Sequence, residues 1–232
     1  MIQVIAEIGV NWNGDFSIAK EMIHESKKAG ADFVKFQSFN EELIKNHPAK
    51  KKLIKTSISK QNIEEINKIA KLEKIEWFCT PMYEEAVDLL DPFINRFKVR
   101  EYDGRELLKN KVSPLLKKIF ATKKDIIISS ETVPPKLKKD SKMDWLYCVP
   151  KYPCMLTEIN FKNLDLFSGY SNHCQSIMAP ITAAVLGARI IEIHITPNKK
   201  SKKFIDNNVS FDYSELKNII TSIKEMEQIT KS

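Results

Sequence analysis

Eight short runs of almost continuously apolar residues recur along the chain, and most of them precede a segment with helical periodicity. Runs without apolar–polar alternation are typical of strands buried on both faces, as in parallel sheets. The runs are Ile2–Ile8, Phe33–Gln37, Ile75–Thr80, Arg96–Val99, Ile126–Ser129, Trp145–Val149, Phe167–Ser171 and Ile190–His194. Because no linker separates these repeats, we expect an α/β protein, a (β/α)8 TIM barrel with residues 1–232 as a single domain.

The sixth repeat is the weakest part of this pattern. Pro150, Pro153 and the polar stretch up to Asn163 interrupt any helical periodicity after the sixth run. A flavodoxin-like open sheet is the competing architecture, but eight strands are too many for it. The seventh repeat is clearer, because a predicted helix over Gln175–Leu186 joins two of the apolar runs.

The composition and charge restrict the classes of partner. The chain of 232 residues has a formal net charge of +7, which favours anionic ligands, although lysine runs at 50–52 and 199–200 also suit solvated surface. No nucleic-acid motif accompanies the charge, so we expect no nucleic-acid partner. No apolar run approaches the roughly 18 residues of a membrane span, and the first residues enter a strand directly. The 4 cysteines lack a C-x-x-C pair, as expected for reduced thiols in the cytoplasm.

Two histidines stand at equivalent places in the last two repeats. His173 follows the seventh apolar run and His194 closes the eighth. In parallel α/β folds the carboxyl ends of the strands meet at one edge, where ligands bind. Two neutral imidazoles side by side suit a borderline divalent metal, so the sequence predicts a metal site at this pair. His24 and His47 suit surface positions instead.

Cationic and hydroxyl side chains follow the other predicted strands at the same edge. A lysine within a buried strand is costly unless its charge is paired, which favours a functional role for Lys35 and Lys98. Carboxylates stand nearby at Glu7 and Asp103. Such a set predicts a pocket for a multiply anionic, phosphate-bearing substrate. Its members are Lys35, Thr80, Lys98, Arg100, Ser129 and Ser171.

Several stretches, in order along the chain, resemble the motifs of one known family. The family is that of the N-acetylneuraminate (sialic acid) synthases, which includes the legionaminic and pseudaminic acid synthases. Any one of the stretches alone would be a weak signal, whereas together they are specific. They are Ala6–Gly14, Ala29–Asp32, Val34–Gln37, Phe78–Pro81, Tyr147–Pro153, Gly169–His173 and Gly187–Thr196.

The resemblance implies a TIM barrel that condenses phosphoenolpyruvate with an N-acylated hexose, usually N-acetylmannosamine, using Mn²⁺ or Mg²⁺. It implies that His173 and His194 are the metal ligands. It further implies a binding set for phosphoenolpyruvate at Thr80, Lys98, Ser129 and Ser171. The same resemblance implies that Lys35 and Gln37 lie at the pyruvyl and sugar end of the active site and that Glu7 lies beside the reacting groups. It also implies that Tyr152 and Asp206 lie on the sugar side.

The chain also departs from the family pattern. Glu101 stands where the family has a phosphate-binding Ser, and it would repel phosphate unless Arg100 compensates, while Asp103 keeps an acid role. Pro150 replaces a polar residue, and Trp12 stands where His is usual. We expect only the barrel, without the family's C-terminal antifreeze-like domain. The partners left open are a second copy in a homodimer and a separate antifreeze-like subunit. Otherwise we expect residues 40–60 and 197–208 to fold over the site.

Three functional hypotheses therefore stand. The first is the metal-dependent synthase of a nonulosonic, sialic-type acid, with Glu7, Lys35 and Asp103 as the catalytic set. The second is an aldolase on another barrel substrate, either metal-dependent or using Lys35 or Lys98 as a Schiff-base nucleophile. The third is a degenerate barrel without catalysis that binds a sugar or a partner subunit, which the altered residues Glu101 and Pro150 keep open.

Overall fold

A closed barrel of parallel strands in sequential order forms the centre of the protein. The structure, a computed structural model, describes residues 1–135 and 142–230. The strands are β1 Gln3–Glu7, β2 Phe33–Ser38, β3 Glu76–Pro81, β4 Arg96–Val99, β5 Asp125–Ser130, β6 Met143–Tyr147, β7 Gly169–Asn172 and β8 Ile190–His194. The last strand pairs with the first, with Glu7 opposite His194, and so closes the barrel. The eight predicted strands and the TIM-barrel fold are confirmed.

Helices surround the barrel and fill most of the connections between strands. After β1 comes α1 Phe16–Ala29, and after β2 come α2 Glu41–Ile44, α3 Lys50–Leu53 and α4 Ile63–Leu72. After β3 comes α5 Glu84–Leu90, and after β4 come α6 Glu101–Leu108 and α7 Pro114–Ala121. After β7 comes α8 Met178–Val185, and after β8 comes α9 Tyr213–Thr230. Short 3₁₀ turns occupy Ile54–Thr56, Leu156–Glu158, Phe161–Leu166 and Ile205–Val209.

The connections around β6 differ from the regular pattern. Only two 3₁₀ turns follow β6, as expected from the prolines and polar residues of that stretch. The connection from β5 to β6 has no helix in its described part, residues 131–135 and 142. Two of the eight repeats therefore depart from strictly alternating strands and helices in the described ranges.

The apolar stripe from Leu107 to Ile119 is divided between two helices. Its spacing is that of one helix, but α6 ends before Lys109 and α7 begins at Pro114. Ser113 caps the second helix, because its side-chain oxygen accepts a hydrogen bond from the Leu116 backbone N–H at 3.2 Å. Proline suits the first turn of a helix, where its missing N–H would have no partner.

The barrel wall and its helices pack through fully buried aliphatic side chains. On α1, Met22 and Ile23 face the strands and are completely buried, as Leu216 and Ile219 are on α9. The close approach of β7 to β8 requires glycine, because a Cβ on Gly169 would lie 1.9 Å from the Ile190 carbonyl oxygen. This packing fixes the strands, and therefore the side chains at their carboxyl ends.

A helix that crosses a lipid bilayer needs about 20 consecutive, predominantly apolar residues. Across residues 1–135 and 142–230, none of the helices combines the length and the apolar character needed to cross a membrane.

Candidate active site

A cavity of about 360 Å³ opens at the carboxyl ends of the strands, where sequence reasoning placed the site. Every strand except β6 contributes its last or inward-facing residues to the lining, and the loop after β6 contributes an aromatic ring. The predicted site residues that line this cavity are Glu7, Lys35, Gln37, Thr80, Lys98, Arg100, Ser129, Tyr152, Ser171, His173, His194 and Asp206. Asp103 is the predicted site residue that the cavity does not include.

Glu192 organises the floor of the cavity. Its Oε1 atom accepts hydrogen bonds from Lys98 Nζ and from Ser171 Oγ, each at 2.8 Å. Its Oε2 atom lies 3.8 Å from Lys35 Nζ. The Glu192 side chain is almost fully enclosed, with 2% of the residue exposed. One carboxylate therefore connects both barrel lysines and one of the predicted phosphate-binding hydroxyls.

A second buried carboxylate, Glu7, lies on the other side of Lys35. Glu7 Oε2 is 2.8 Å from Lys35 Nζ, and Glu7 Oε1 accepts a hydrogen bond of 2.8 Å from Gln37 Nε2. Lys35 Nζ also donates to Thr80 Oγ1 at 3.3 Å. Two carboxylates thus face two ammonium groups in the barrel interior, so their formal charges cancel when all four are ionised.

The four buried charges differ in protonation preference. Burial raises the pKa of Glu7 above its ordinary value, and the neighbouring Lys35 only partly offsets this. Burial also disfavours the ionised form of Glu192. The charges of Lys35 and Lys98 have the larger effect, and they hold the pKa of Glu192 well below its usual range. Burial lowers the pKa of Lys98 despite Glu192, whereas Glu192 and Glu7 overcome burial and raise the pKa of Lys35. Glu7 is therefore the member of this group best suited to exchange a proton.

The two predicted metal ligands face the same cavity. The ring centroids of His173 and His194 are 5.6 Å apart. His173 Nδ1 lies 2.7 Å from the Val149 carbonyl oxygen, a contact that puts the ring proton on Nδ1 and leaves Nε2 free to accept. Burial, reinforced by His194, lowers the pKa of His173 to about 3, so its imidazole is neutral at physiological pH. Tyr152 lies beside His173, with ring centroids 4.0 Å apart.

Asp206 reaches the cavity from the loop after β8. Its Oδ2 atom is 3.6 Å from His194 Nδ1. Asn11, which is completely buried, holds this loop in place: its Oδ1 atom accepts from the Asp206 N–H at 3.0 Å, and its Nδ2 atom donates to the Ile195 carbonyl at 2.8 Å. Ser210 Oγ completes the clamp by donating to the Asp206 carbonyl at 2.6 Å.

The region after β4 carries the departures noted from sequence. Asp103 Oδ2 accepts from Arg100 Nε at 2.6 Å, and the carboxylate lies in a separate depression of the surface with Tyr102 and Glu106. Glu101 does line the main cavity, where burial raises its pKa, and its nearest cation is Arg105 at 3.8 Å. Pro150 is exposed and does not line the cavity.

Residues of the two lysine-rich loops cover part of the mouth. Leu43, Ile44, His47 and Leu53 come from the segment 40–60, and Ile205 and Asp206 come from the segment 197–208. The two segments also touch, because Lys52 Nζ donates to the Lys203 carbonyl. This is the local covering expected from sequence, and it brings His47 to the cavity although the sequence suggested only a surface role.

Glu192 is the functional residue that sequence reasoning passed over. The signal was present in the run Ile190–His194: an acidic residue stands two positions before His194, so both project from the same face of β8. A carboxylate in an otherwise apolar buried strand needs a partner, as a buried lysine does. Cys148 also lines the cavity, where burial raises the pKa of its thiol to about 12.

The family model named NeuB matches residues 22–232. The chain belongs to the NeuB family. It is 31% identical over 261 residues to N,N′-diacetyllegionaminic acid synthase of Campylobacter jejuni, covering 97% of this chain and 76% of that protein. The enzyme of the same name from Legionella pneumophila is 29% identical over 262 residues, with coverage of 99% and 73%.

The solved structures agree with this family membership. The crystal structure of N-acetylneuraminic acid (sialic acid) synthetase from Leptospira borgpetersenii, in complex with citrate, superposes with a TM-score of 0.88. That protein is 26% identical, and the match covers 100% of this NeuB chain and 85% of the other. The expectation of a sialic acid synthase-like barrel is therefore confirmed, with the chain matching the barrel region of its relatives.

Proposed function

We propose that the chain condenses phosphoenolpyruvate with an N-acylated hexose to give a nonulosonic acid and phosphate. The observation that carries this proposal is the convergence of two chemically different groups on one cavity. Six anion-binding side chains, five of them buried, line the same cavity as the two histidines and a carboxyl group of raised pKa. Family membership and the names of the relatives support the same reaction class.

The anionic end of the cavity is suited to the phosphate and carboxylate of phosphoenolpyruvate. Lys98 and Ser171 are held by Glu192, so their donor atoms are already oriented before a ligand arrives. Thr80, Ser129 and the rim residue Arg100 add donors around them. Glu7 and Glu192 offset the two lysines, and Asp103 accepts a hydrogen bond from Arg100 Nε at 2.6 Å.

Glu7 is the proposed proton carrier. In the proposed reaction, C3 of phosphoenolpyruvate attacks the aldehyde carbon of the open-chain sugar, water adds at C2, and the C2–O bond to phosphate breaks. The new hydroxyl needs one proton, and the attacking water gives one up. Glu7 has a raised pKa and lies between Lys35 and Gln37, so it can give a proton to the former aldehyde oxygen and take one from water.

The side chains around the histidines fit a divalent ion. Substrate or water would complete the coordination of that ion. His173 offers a free Nε2, and its Nδ1–Val149 contact is the kind of outer hydrogen bond that orients metal-ligating imidazoles. Within residues 1–135 and 142–230 no group of three His, Cys, Asp or Glu side chains forms a complete protein site. His173 and His194 would therefore hold Mn²⁺ or Mg²⁺ as two ligands, and the bound ion would polarise the sugar carbonyl as a Lewis acid.

A screen of phosphate release tests this function directly. The purified chain is incubated with phosphoenolpyruvate and a panel of N-acetylated hexoses, with Mn²⁺, with Mg²⁺ or with EDTA. We expect phosphate release that depends on both an acceptor and a divalent ion. Binding of phosphoenolpyruvate without any release would favour the non-catalytic barrel, and absence of binding would remove the proposal altogether.

One observation favours a Schiff-base aldolase as the second candidate. The pKa of Lys98 is lowered by burial, which is how a barrel lysine becomes a nucleophile. The 2.8 Å ion pair with Glu192 opposes this role, because it stabilises the ammonium form. Borohydride treatment with substrate separates the two: a covalent adduct on Lys98 or Lys35 supports the aldolase, and an unmodified chain supports the synthase.

A further inference from the structure

Two buried thiols lie against each other beside the end of β7. Cys154, in the segment after β6, and Cys174, which follows β7, form an isolated parallel β bridge. The Cys154 N–H donates to the His173 carbonyl at 3.0 Å, which fixes this pairing. Both residues are buried free cysteines, and their thiols are close enough to share a hydrogen bond. The pair is therefore positioned for chemistry between its two sulfur atoms.

The backbone spacing of the pair suits a disulfide bond. Paired strands lie about 4.7–4.9 Å apart, and a disulfide joins Cα atoms that are about 4.4–6.8 Å apart. A bond between Cys154 and Cys174 therefore requires little backbone movement. The other cysteines have different surroundings, because Cys79 lies within β3 and Cys148 lines the cavity.

The chain holds the two cysteines unequally. Asn172 fixes Cys174 on both sides: its Oδ1 atom accepts from the Cys174 N–H at 3.3 Å, and its Nδ2 atom donates to the Cys174 carbonyl at 2.7 Å. Cys154 is instead a buried residue between exposed neighbours at 150–153 and 155–157, in a segment of loop and 3₁₀ turn. Such a segment opens locally at low cost, and its opening exposes the thiols to an oxidant.

The pair also adjoins two residues of the candidate active site. Tyr152 precedes Cys154 by two residues, and its ring lies beside that of His173, with centroids 4.0 Å apart. Cys174 directly follows His173. Because Ser171 and His173 line the cavity and successive residues of an extended segment face opposite sides, Cys174 points away from the cavity. A bond between the thiols would hold Tyr152 near His173 without filling the cavity.

We propose that Cys154 and Cys174 form a reversible redox site, whose disulfide fixes the segment 150–157 against the end of β7. The oxidant is a small disulfide such as oxidised glutathione. One protein thiol displaces a glutathione thiol and forms a mixed disulfide, and the other protein thiol then displaces the second glutathione. Two protein thiols are thus oxidised while one glutathione disulfide is reduced to two thiols, which take up both protons. This site does not depend on the reaction proposed above.

Equilibration of the intact chain in glutathione buffers with an increasing oxidised share tests the pair. After alkylation of the remaining thiols, trypsin divides the two cysteines between the peptides 152–162 and 163–189, and mass spectrometry detects a bond between them. We expect these peptides to be joined and dithiothreitol to release them. Mixed glutathione adducts alone, a bond that involves Cys148, or no bond at all would overturn the proposal.

Single variants check the assignment of the bond. Cys154→Ala and Cys174→Ala should each abolish it, and either one suffices if the other does not fold. Cys79→Ala is the matched control, since Cys79 is also buried but lies in β3, and it should keep the bond. Circular dichroism verifies that each variant compared is folded. A bond that survives in a folded Cys154→Ala or Cys174→Ala would overturn the pairing.

Limited trypsin digestion of the folded chain tests the effect on the segment 150–157. Cleavage between Lys151 and Tyr152 requires local opening of this segment. Oxidation should slow this cleavage about tenfold, a part of what a closed ring of this length contributes. Cleavage between Lys111 and Val112, in the exposed link between α6 and α7, should keep its rate. No slowing after Lys151, or equal slowing at both sites, would overturn the fixing of the segment.

Discussion

The ammonium group of Lys98 lies 2.8 Å from the carboxylate of Glu192 inside the barrel, where both side chains are almost completely enclosed. A buried ion pair of this kind has a small net effect on stability, but removal of one partner leaves an uncompensated charge in a poorly solvated place. Since Glu192 also faces Lys35, it is the residue whose loss disturbs the site most.

Glu192→Gln should destabilise the fold by about 3–5 kcal/mol, because it leaves buried ammonium groups without their counter-charge. Urea unfolding followed by circular dichroism measures the loss. Glu158→Gln is the control, since Glu158 pairs with Lys151 on the surface, where water screens the pair, and its replacement should cost much less stability. The double variant Lys98→Met with Glu192→Gln should recover part of the loss, and a double variant less stable than Glu192→Gln alone would contradict the pairing.

The same carboxylate predicts how stability depends on acid. Lys35 and Lys98 hold the folded pKa of Glu192 below the ordinary 4.5, so its contribution is fully present above that value and is lost as the pH falls below it. Wild type should therefore lose more unfolding free energy than Glu192→Gln between about pH 5 and pH 3. Parallel denaturation curves at several pH values measure this difference. Identical slopes for the two proteins would mean that Glu192 is not ion-paired in solution.

Lys98→Met should weaken the binding of phosphoenolpyruvate much more than that of the sugar. Loss of one charge-assisted hydrogen bond costs about 1.5–3 kcal/mol, or roughly tenfold to a hundredfold in affinity. Separate calorimetric titrations with the two substrates give the comparison. Lys68→Met should leave both affinities unchanged, because Lys68 is an exposed residue of α4 that pairs with Glu65 on the same helix. Equal weakening for both substrates would contradict an anionic end centred on Lys98.

His173→Ala and His194→Ala should each weaken Mn²⁺ binding by more than about tenfold, because each removes one of two imidazole ligands. Electron paramagnetic resonance of free Mn²⁺ reports the affinity without any need for turnover. His24→Ala is the control, since His24 is exposed and contacts Glu73 far from the mouth. Unchanged affinity in either site variant would place the metal elsewhere.

The fold could be predicted from the sequence because buried parallel strands produce short, nearly continuous apolar runs, and eight of them recur with helical segments between most of them. The site residues at strand ends followed from the same pattern, since Lys35, Lys98, His173 and His194 stand out against apolar neighbours. Glu192 was harder to recognise, because its partners come from strands distant in sequence and only barrel closure brings them together. The two helices after β4 cannot be told from a single helix by apolar spacing, because Pro114 starts a new helix without changing that spacing.

Asp103 shows the limit of strand-end reasoning. It lies only four residues after β4, but α6 begins at Glu101 and turns its first residues in different directions. Glu101 faces the cavity, whereas Asp103 faces Arg100 Nε and a separate depression. Which residue of a helical turn faces a ligand depends on where the helix starts, and the sequence defines that position only to within a residue or two.

The most direct test of the proposed reaction follows one oxygen atom. Phosphoenolpyruvate labelled with ¹⁸O in the bridging position is incubated with the chain, Mn²⁺ and an N-acetylated mannosamine, and the products are analysed by mass spectrometry. Condensation with cleavage of the C2–O bond of phosphoenolpyruvate predicts a new N-acylated keto acid of nine backbone carbons. The ¹⁸O label should then be in the released phosphate. Label retained in pyruvate or in the organic acid, or no new acid while phosphate is released, would contradict it.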